Sequence, residues 1–402
     1  MSPERSRSLP TIDRLEVAGR RVLVRCDLNV PLSDGRIEDD LRIRAAVPTL
    51  ETLRDRGARL AVCSHLGRPK GRVVEKLRLR PVAQRLGELL AAEVEALDEV
   101  VGDHASKACA SEVDVVVLEN LRFEPGEEAN DPDFAARLAS LAEAYVDDAF
   151  GAAHRAHASI VGVAQRLPAA AGLLLVDEVE KLERLLHAAR PPFVAVLGGA
   201  KVSDKLDVIE NLLDRVDTIC VGGAMAFTLL VARGVEVGRS LVEHDRIGDV
   251  EKMLKVADDK AVAVLVPTDV VAAISTDEGA AHETVPIEDI GDRIGVDIGP
   301  RTSSSFADAI ENARTLLWNG PMGIFEIDAY AEGTRAVAEA IATATSRGAY
   351  TVAGGGDSAA ALKRFDMVDA VSHLSTGGGA SLEFLEGKDL PGLAVLRRGG
   401  HR

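Results

Sequence analysis

The sequence predicts an α/β fold made of two doubly wound parallel-sheet domains joined by an interdomain helix, and three observations predict it. The chain has 402 residues, more than one ordinary core takes up, since domains mostly run to about 100–200 residues. Short apolar, β-branched runs alternate with longer amphipathic stretches throughout, the signature of strand–helix repeats and parallel sheets covered on both faces. The alternation pauses near residues 170–192, where a long charged helix, Leu173–Ala189, meets Pro191-Pro192 before a new strand begins.

Taken in order, strands are expected at Arg21–Asp27, Arg59–Ser64, Val113–Leu118 and Ala144–Asp148, then at Phe193–Leu197, Thr218–Val221, Ala261–Val266, Thr315–Trp318 and Tyr350–Ala353. Helical patterns cover Leu79–Val94, Ser203–Leu213 and Tyr330–Thr345. The expected division is 1–172, a connecting helix at 173–190, and a second domain from 191. Ligands of such sheets bind beyond the carboxyl ends of the strands, so the loops after each strand carry the functional information.

Composition narrows the classes of function. The net charge is −17, which argues against nucleic acid as a partner, because a phosphate backbone favours basic faces. The charge is uneven. Residues 1–171 hold 24 Lys+Arg against 28 Asp+Glu, with 21 of the 24 cations arginine, while the remainder holds 23 against 36. Arginine forks suit carboxylate and phosphate ligands. No apolar run reaches the roughly 20 residues needed to span a bilayer, and the start of the chain lacks a secretory apolar stretch. Cys26, Cys63, Cys109 and Cys220 are far apart without metal-ligand spacing. They read as buried free thiols of a cytoplasmic protein, and a monomer is the default expectation.

Four glycine clusters stand out in the second half: Gly198-Gly199 before Ala200 and Lys201, Gly222-Gly223, Gly354-Gly355-Gly356 before Asp357 and Ser358, and Gly377-Gly378-Gly379. Three follow an apolar strand and precede a helix pattern. Such turns let backbone N–H groups approach an anion, with help from the helix N-terminus. Lys201 and Lys205, four apart, are expected on one helical face. Asp357 could hold Mg²⁺ bridging nucleotide phosphates, or cap its helix. Glu326, after the loop Trp318–Gly323, could take ribose hydroxyls. Neither the P-loop nor the dinucleotide fingerprint is present, which disfavours a P-loop ATPase and a nicotinamide oxidoreductase. A non-catalytic nucleotide binder on the same fold stays open.

In the first half each strand is followed by polar or basic residues: Asp27 and Asn29, His65 and Arg68, Arg122, then His154, Arg155 and His157. If they converge, they form a cationic hollow suited to a small polyanion. A zinc site at His154 and His157 would need a third ligand, and none lies near in sequence.

VLVRCDLNVP at 22–31, SHLGRP at 64–69, LENLRF at 118–123, AHRAH at 153–157, GGAKVSDK at 198–205, WNGPMG at 318–323, GGGDS at 354–358 and STGGGAS at 375–381 together resemble the phosphoglycerate kinase family, in that family's order. The resemblance implies transfer of a phosphoryl group between 1,3-bisphosphoglycerate with MgADP and 3-phosphoglycerate with ATP. It implies that Asp27, Asn29, Arg42, His65, Arg68, Arg122 and Arg155 bind the glycerate. It assigns the nucleotide to Ala200, Lys205, Gly222, Gly223, Gly295, Val296, Asn319, Pro321, Glu326, Gly354, Gly355, Gly356, Asp357 and Ser358, with the magnesium on Asp357. Arg42, Lys201, Gly378 and Gly379 would surround the moving group. It further implies domains at 1–172 and 191–385, closure about the connecting helix, and a tail, 386–402, returning to the first domain.

Overall fold

In a computed structural model of the chain, which describes residues 8–33 and 35–399, the alternating pattern folds into two units. One comprises the residues up to Glu180 together with those from Asp389 onward; the other runs from Lys181 to Lys388. The division falls inside the helix Leu173–His187.

In the first unit the strands are β1 (Arg21–Cys26), the short antiparallel ribbon of β2 (Leu32–Ser33) and β3 (Arg36–Ile37), β4 (Arg59–Cys63), β5 (Val94–Ala96), β6 (Val115–Val117), β7 (Ala144–Asp148) and β8 (Ala169–Ala171). Six of them form a parallel sheet in the order β5-β6-β4-β1-β7-β8. Every residue of β1 is buried, as a central strand covered on both faces requires. β1 nevertheless carries two arginines. Arg21 lies among backbone carbonyls, donating to Cys109 O at 2.9 Å, Leu60 O at 3.0 Å and Ser111 O at 2.9 Å. The helix expected to reach Val94 stops at Leu90, because Ala91 turns left-handed at φ 46° and releases the chain into edge strand β5. At the end of β7, Asp148 Oδ1 accepts the N–H groups of Leu174 and Leu175 at 2.9 and 3.3 Å, and Thr49 Oγ1 accepts that of Leu173. These bonds fix the start of the helix Leu173–His187.

The second unit adds β9 (Phe193–Leu197), β10 (Thr218–Val221), β11 (Ala263–Leu265), β12 (Asp269–Ala273), β13 (His282–Pro286), β14 (Ile294–Ile298), β15 (Thr315–Asn319), β16 (Tyr350–Gly354) and β17 (His373–Leu374). Its parallel sheet has the order β11-β10-β9-β15-β16-β17. Trp318, on β15, is wholly buried in its core. A separate antiparallel sheet, β13-β12-β14, was not expected. β13 reads His-Glu-Thr-Val-Pro and is mostly exposed, so it lacks the apolar run that marks the other strands.

The tail helix, Pro391–Gly399, packs on the first unit, where Gly392 N donates to Ala153 O at 2.9 Å and Leu393 and Leu396 are buried. Leu396→Ala should therefore destabilise that unit by about 2–5 kcal/mol, read as a lower urea midpoint. An unchanged midpoint would place the tail outside the core.

Candidate functional site

The carboxyl ends of β1, β4, β6 and β7 deliver the candidate residues of the first unit to one edge of the sheet. Asp27, buried just after β1, pairs through Oδ2 with Arg42 of the helix Leu41–Asp55. Its Oδ1 accepts Asn29 N at 3.4 Å, and Asn29 Oδ1 accepts Gly67 N at 2.9 Å. Arg122 Nη1 donates to Gly67 O at 2.6 Å, and its Nε lies 3.2 Å from Glu128. The loops after β4 and β6 are joined by Asn120, whose amide bonds both the N–H and the carbonyl of Leu66. Arg155 Nε donates to His154 Nε2 at 3.1 Å. Arg68 follows Gly67 but is exposed, with no side-chain partner among the described residues.

The electrostatics match a cationic hollow. His65 is held well below its ordinary value by burial and then by Arg25, Arg122, Arg155 and Arg42. His157 is pushed down to about 3 by burial and then by Arg122, Arg25 and Arg155. Burial, and then the charge of Arg155, lowers Arg122 to about 10. The same few guanidinium groups act on each imidazole, so both are neutral near pH 7. A cavity of about 940 Å³ lies elsewhere in this unit, between residues 10–20, 156–170 and the tail helix, and holds none of the candidate residues.

Two adjoining cavities occupy the carboxyl edge of the second unit's sheet, with volumes of about 320 and 310 Å³, and they share Gly199, Ala200 and Asp357. The first is apolar: Phe227, Leu241, Val296, Met322 and Ile324 line it with Gly223, Gly295 and Pro321, and Glu326 stands at its side. The second is polar, lined by Lys201, Lys205, Asn319, Gly355, Gly356, Asp357, Ser358, Gly378 and Gly379. An aromatic base fits the one and a polyphosphate the other. Lys205 Nζ bonds Asn319 Oδ1, while Asn319 Nδ2 donates to Gly354 O at 2.7 Å. Burial lowers the Lys205 ammonium, opposed by Asp204, Asp357 and Glu386.

Several sequence expectations need correction here. Lys201 and Lys205 do not share a helical face: the helix starts at Leu206, Lys205 is its cap, and Lys201 lies in the preceding loop. Glu243 causes this by holding Ser203 N at 3.0 Å and Ser203 Oγ at 2.7 Å. Both lysines still line the polar cavity. Gly222 and Gly354 line neither cavity. The amides of Gly198, Gly199, Gly222 and Gly223 are spent on the carbonyls of Asn319, Pro321, Leu197 and Met322, so they are not offered to an anion. Close loop packing explains these glycines: a Cβ on Gly223 would sit 2.6 Å from the Gly199 backbone. The helix Gly356–Arg364 is different, since its first-turn N–H groups have no intrahelical partner and face the polar cavity. Its cap is Gly355, at φ 93°, and not Asp357. Ser358 is buried, and its Oγ accepts Gly320 N at 2.7 Å.

Sequence reasoning missed Arg25, Glu127 and Ser159 behind His65, and Phe227, Leu241, Met322 and Leu382 in the cavities. An arginine inside the otherwise apolar run of β1 was a signal for the first group. The apolar lining had none, because it looks like ordinary core. Among the described residues no cluster of three or more His, Cys, Asp or Glu is arranged to hold a metal. One exposed carboxylate beside a phosphate-sized cavity does fit a Mg²⁺ that keeps its waters and arrives with a nucleotide.

The neutral imidazoles have a consequence for stability. An unfolded chain takes up protons on His65 and His157 as pH falls through about 6.5, whereas the folded one does not until about 3 at His157 and well below the ordinary value at His65. The contribution of these two histidines to stability should therefore fall as pH drops from about 7 to 5. It is opposed by the carboxyls of Asp147, Asp148 and Asp297, which burial raises to about 6, 7 and 8. His157→Gln should shift the balance toward greater stability at pH 5 relative to pH 7 in denaturant titrations.

The comparisons with known proteins agree with this geometry. The family model for phosphoglycerate kinase matches residues 12–388. A protein of Rubrobacter xylanophilus named phosphoglycerate kinase is 55% identical over 384 residues, covering 95% of this chain and 96% of its own. One of Moorella thermoacetica with the same name is 52% identical over 389 residues, 96% and 98% of the two chains. The solved phosphoglycerate kinase of Coxiella burnetii superposes with a TM-score of 0.87 at 41% identity, covering 97% of this chain and 99% of its own. That of Pyrococcus horikoshii gives 0.83 at 31% identity, with the same coverage. A family model spanning nearly the whole sequence, and relatives sharing more than half of its residues end to end, place this chain in the phosphoglycerate kinase family.

Proposed function

We propose that the chain catalyses reversible, Mg²⁺-dependent transfer of a phosphoryl group between 1,3-bisphosphoglycerate with ADP and 3-phosphoglycerate with ATP, the phosphoglycerate kinase step of glycolysis and gluconeogenesis. The observation that carries this reading, beyond family membership, is that each unit carries a site of its own kind: an arginine-rich cluster around His65 on one, and on the other an apolar slot adjoining a polar, glycine-lined cavity. Asp27, Asn29, Arg42, His65, Arg68, Arg122 and Arg155 hold the phosphoglycerate. Gly223, Gly295, Val296, Pro321 and Glu326 receive the base and ribose. Ala200, Lys205, Asn319 and the turn Gly355–Ser358 receive the phosphates. Gly222 and Gly354 serve from behind, as loop joints.

The chemistry needs positioning and charge more than acid–base work. The attacking and leaving oxygens, one phosphate and one carboxylate, are already ionised near neutral pH, so no general base is required. Lys201, Arg42 and the amides of Gly378 and Gly379 would neutralise the charge that spreads over the transferring group. When bound, Mg²⁺ supplies further neutralisation of the nucleotide phosphates, with Asp357 as its carboxylate. His65, being neutral, contributes an N–H and not a cation.

A coupled ATP-dependent assay with 3-phosphoglycerate, run with and without Mg²⁺, tests the activity. Absence of turnover with Mg²⁺ refutes it. In that assay Lys201→Ala is expected to lower kcat by orders of magnitude with little change in KM; a near-normal kcat removes it from the transition state. For Arg68→Ala the expected change is a raised KM for 3-phosphoglycerate with the ATP value kept, and an unmoved KM takes Arg68 out of the site.

A further inference from the structure

Behind the hollow stands a buried polar network to which the reaction as proposed gives no part. Arg25 of β1 is wholly buried. Its Nη1 bonds the Cys26 carbonyl, its Nε donates to Ser159 Oγ at 2.9 Å, and its Nη2 lies 3.1 Å from His65 Nδ1. Ser159 passes the connection on, donating its N–H and O–H to the Glu127 carboxylate at 2.9 and 2.6 Å. Glu127 is itself fully buried.

This geometry constrains the imidazole. A guanidinium has donors only and stays protonated, so His65 Nδ1 must accept, and the one proton of the neutral ring sits on Nε2. An imidazolium would set N–H against N–H, in the field of four arginines. Asp27 Oδ1, at 4.0 Å from Nδ1, is too distant to compete as an acceptor. His65 Nε2 bonds no described residue and is not among the buried polar atoms sealed from solvent without a partner. It is the ring atom left for a ligand.

We propose that Arg25 is a positioning residue: held by Ser159 and Glu127, it locks His65 as the Nε2–H tautomer and so presents an N–H donor to an anionic oxygen of the phosphoglycerate. The proposal rests on placing His65 in the glycerate site. A role for Arg25 as a mere internal counter-charge to Glu127 would require nothing of the imidazole. Burial first, and then Arg25 with its neighbouring arginines, keep the ring neutral, and the lock lets that neutral ring serve an anion site. Affinity would then stay independent of a proton on that ring.

Nitrogen-15 NMR of the histidine-labelled chain tests this directly. Without ligand, His65 should show an unprotonated Nδ1 and a protonated Nε2, unchanged from pH 6 to 8. An Nδ1–H tautomer or an imidazolium overturns the lock. Added 3-phosphoglycerate should shift the Nε2 resonance. A correct tautomer whose Nε2 does not respond also overturns the proposal, and traces the failure to the placement of His65 rather than to Arg25. In Arg25→Met, burial and the charges of Arg122, Arg155 and Arg42 still keep the ring neutral, but its tautomer is no longer fixed, so mixed Nδ1–H and Nε2–H signals should appear; a ring that stays wholly Nε2–H overturns the proposal. The variant's KM for 3-phosphoglycerate should rise about tenfold with kcat kept. The same substitution should add little to KM in a His65→Gln background. Equal increases in the two backgrounds mark a purely structural role and overturn the proposal. Ser159→Ala, a milder cut in the same network, should give mixed tautomer signals; an unaltered spectrum removes Ser159 and Glu127 from the lock.

Discussion

Parallel strands all end on the same side, and in this chain that constraint gathers the chemistry. In the first unit, residues from four separate stretches, following β1, β4, β6 and β7, meet along one edge of the sheet although up to about 130 positions separate them. In the second, the loops after β9, β10, β15 and β16 do the same. The strands that carry these loops are almost wholly buried and cannot shift register without displacing packed apolar side chains. The loop residues are thereby aimed by cores that take no part in the reaction.

Concentrating cations is costly, and the hollow shows how the cost is met. An acidic chain of net charge −17 sets several arginines within one another's fields. Asp27, Glu127 and Glu128 sit between them at particular atoms: Asp27 on Arg42, Glu128 near Arg122, and Glu127 through Ser159 toward Arg25. The histidines yield by staying neutral. A phosphorylated substrate, as proposed, would supply the remaining negative charge, and a site of this composition favours an anion on electrostatic grounds.

The second unit treats its glycines in two ways, and the difference lies in where each amide points. Around Gly198–Gly199 and Gly222–Gly223 the N–H groups stitch loop to loop, and the missing side chain permits the approach. Around Gly355–Gly356 the chain turns into a helix whose first amides remain open to the polar cavity. Only the latter matches the anion-binding reading of a glycine cluster. The lysines reach the polar cavity through tertiary bonds, of Ser203 between them to Glu243 and of Lys205 to Asn319, and not through helical spacing.

By itself the sequence determined the α/β class, nine of the twelve described strands of the two parallel sheets to within two residues at either end, the short edge strands β5, β8 and β17 being missed, and the charged and glycine-rich loops at the strand ends, because burial periodicity and strand-end motifs are local properties. It did not reveal the antiparallel sheet of β12, β13 and β14: β12 holds a short, largely buried apolar run at 270–273, but β13 is mostly exposed and β14 is broken by Gly295 and Asp297. Nor could it show that Lys201 leaves the helix, that Gly222 faces away from both cavities, or that Arg25 stands against His65 across 40 positions. These were decided only by tertiary structure, since hydrogen bonds between distant loops and the direction of a buried guanidinium depend on neighbours that no local pattern names.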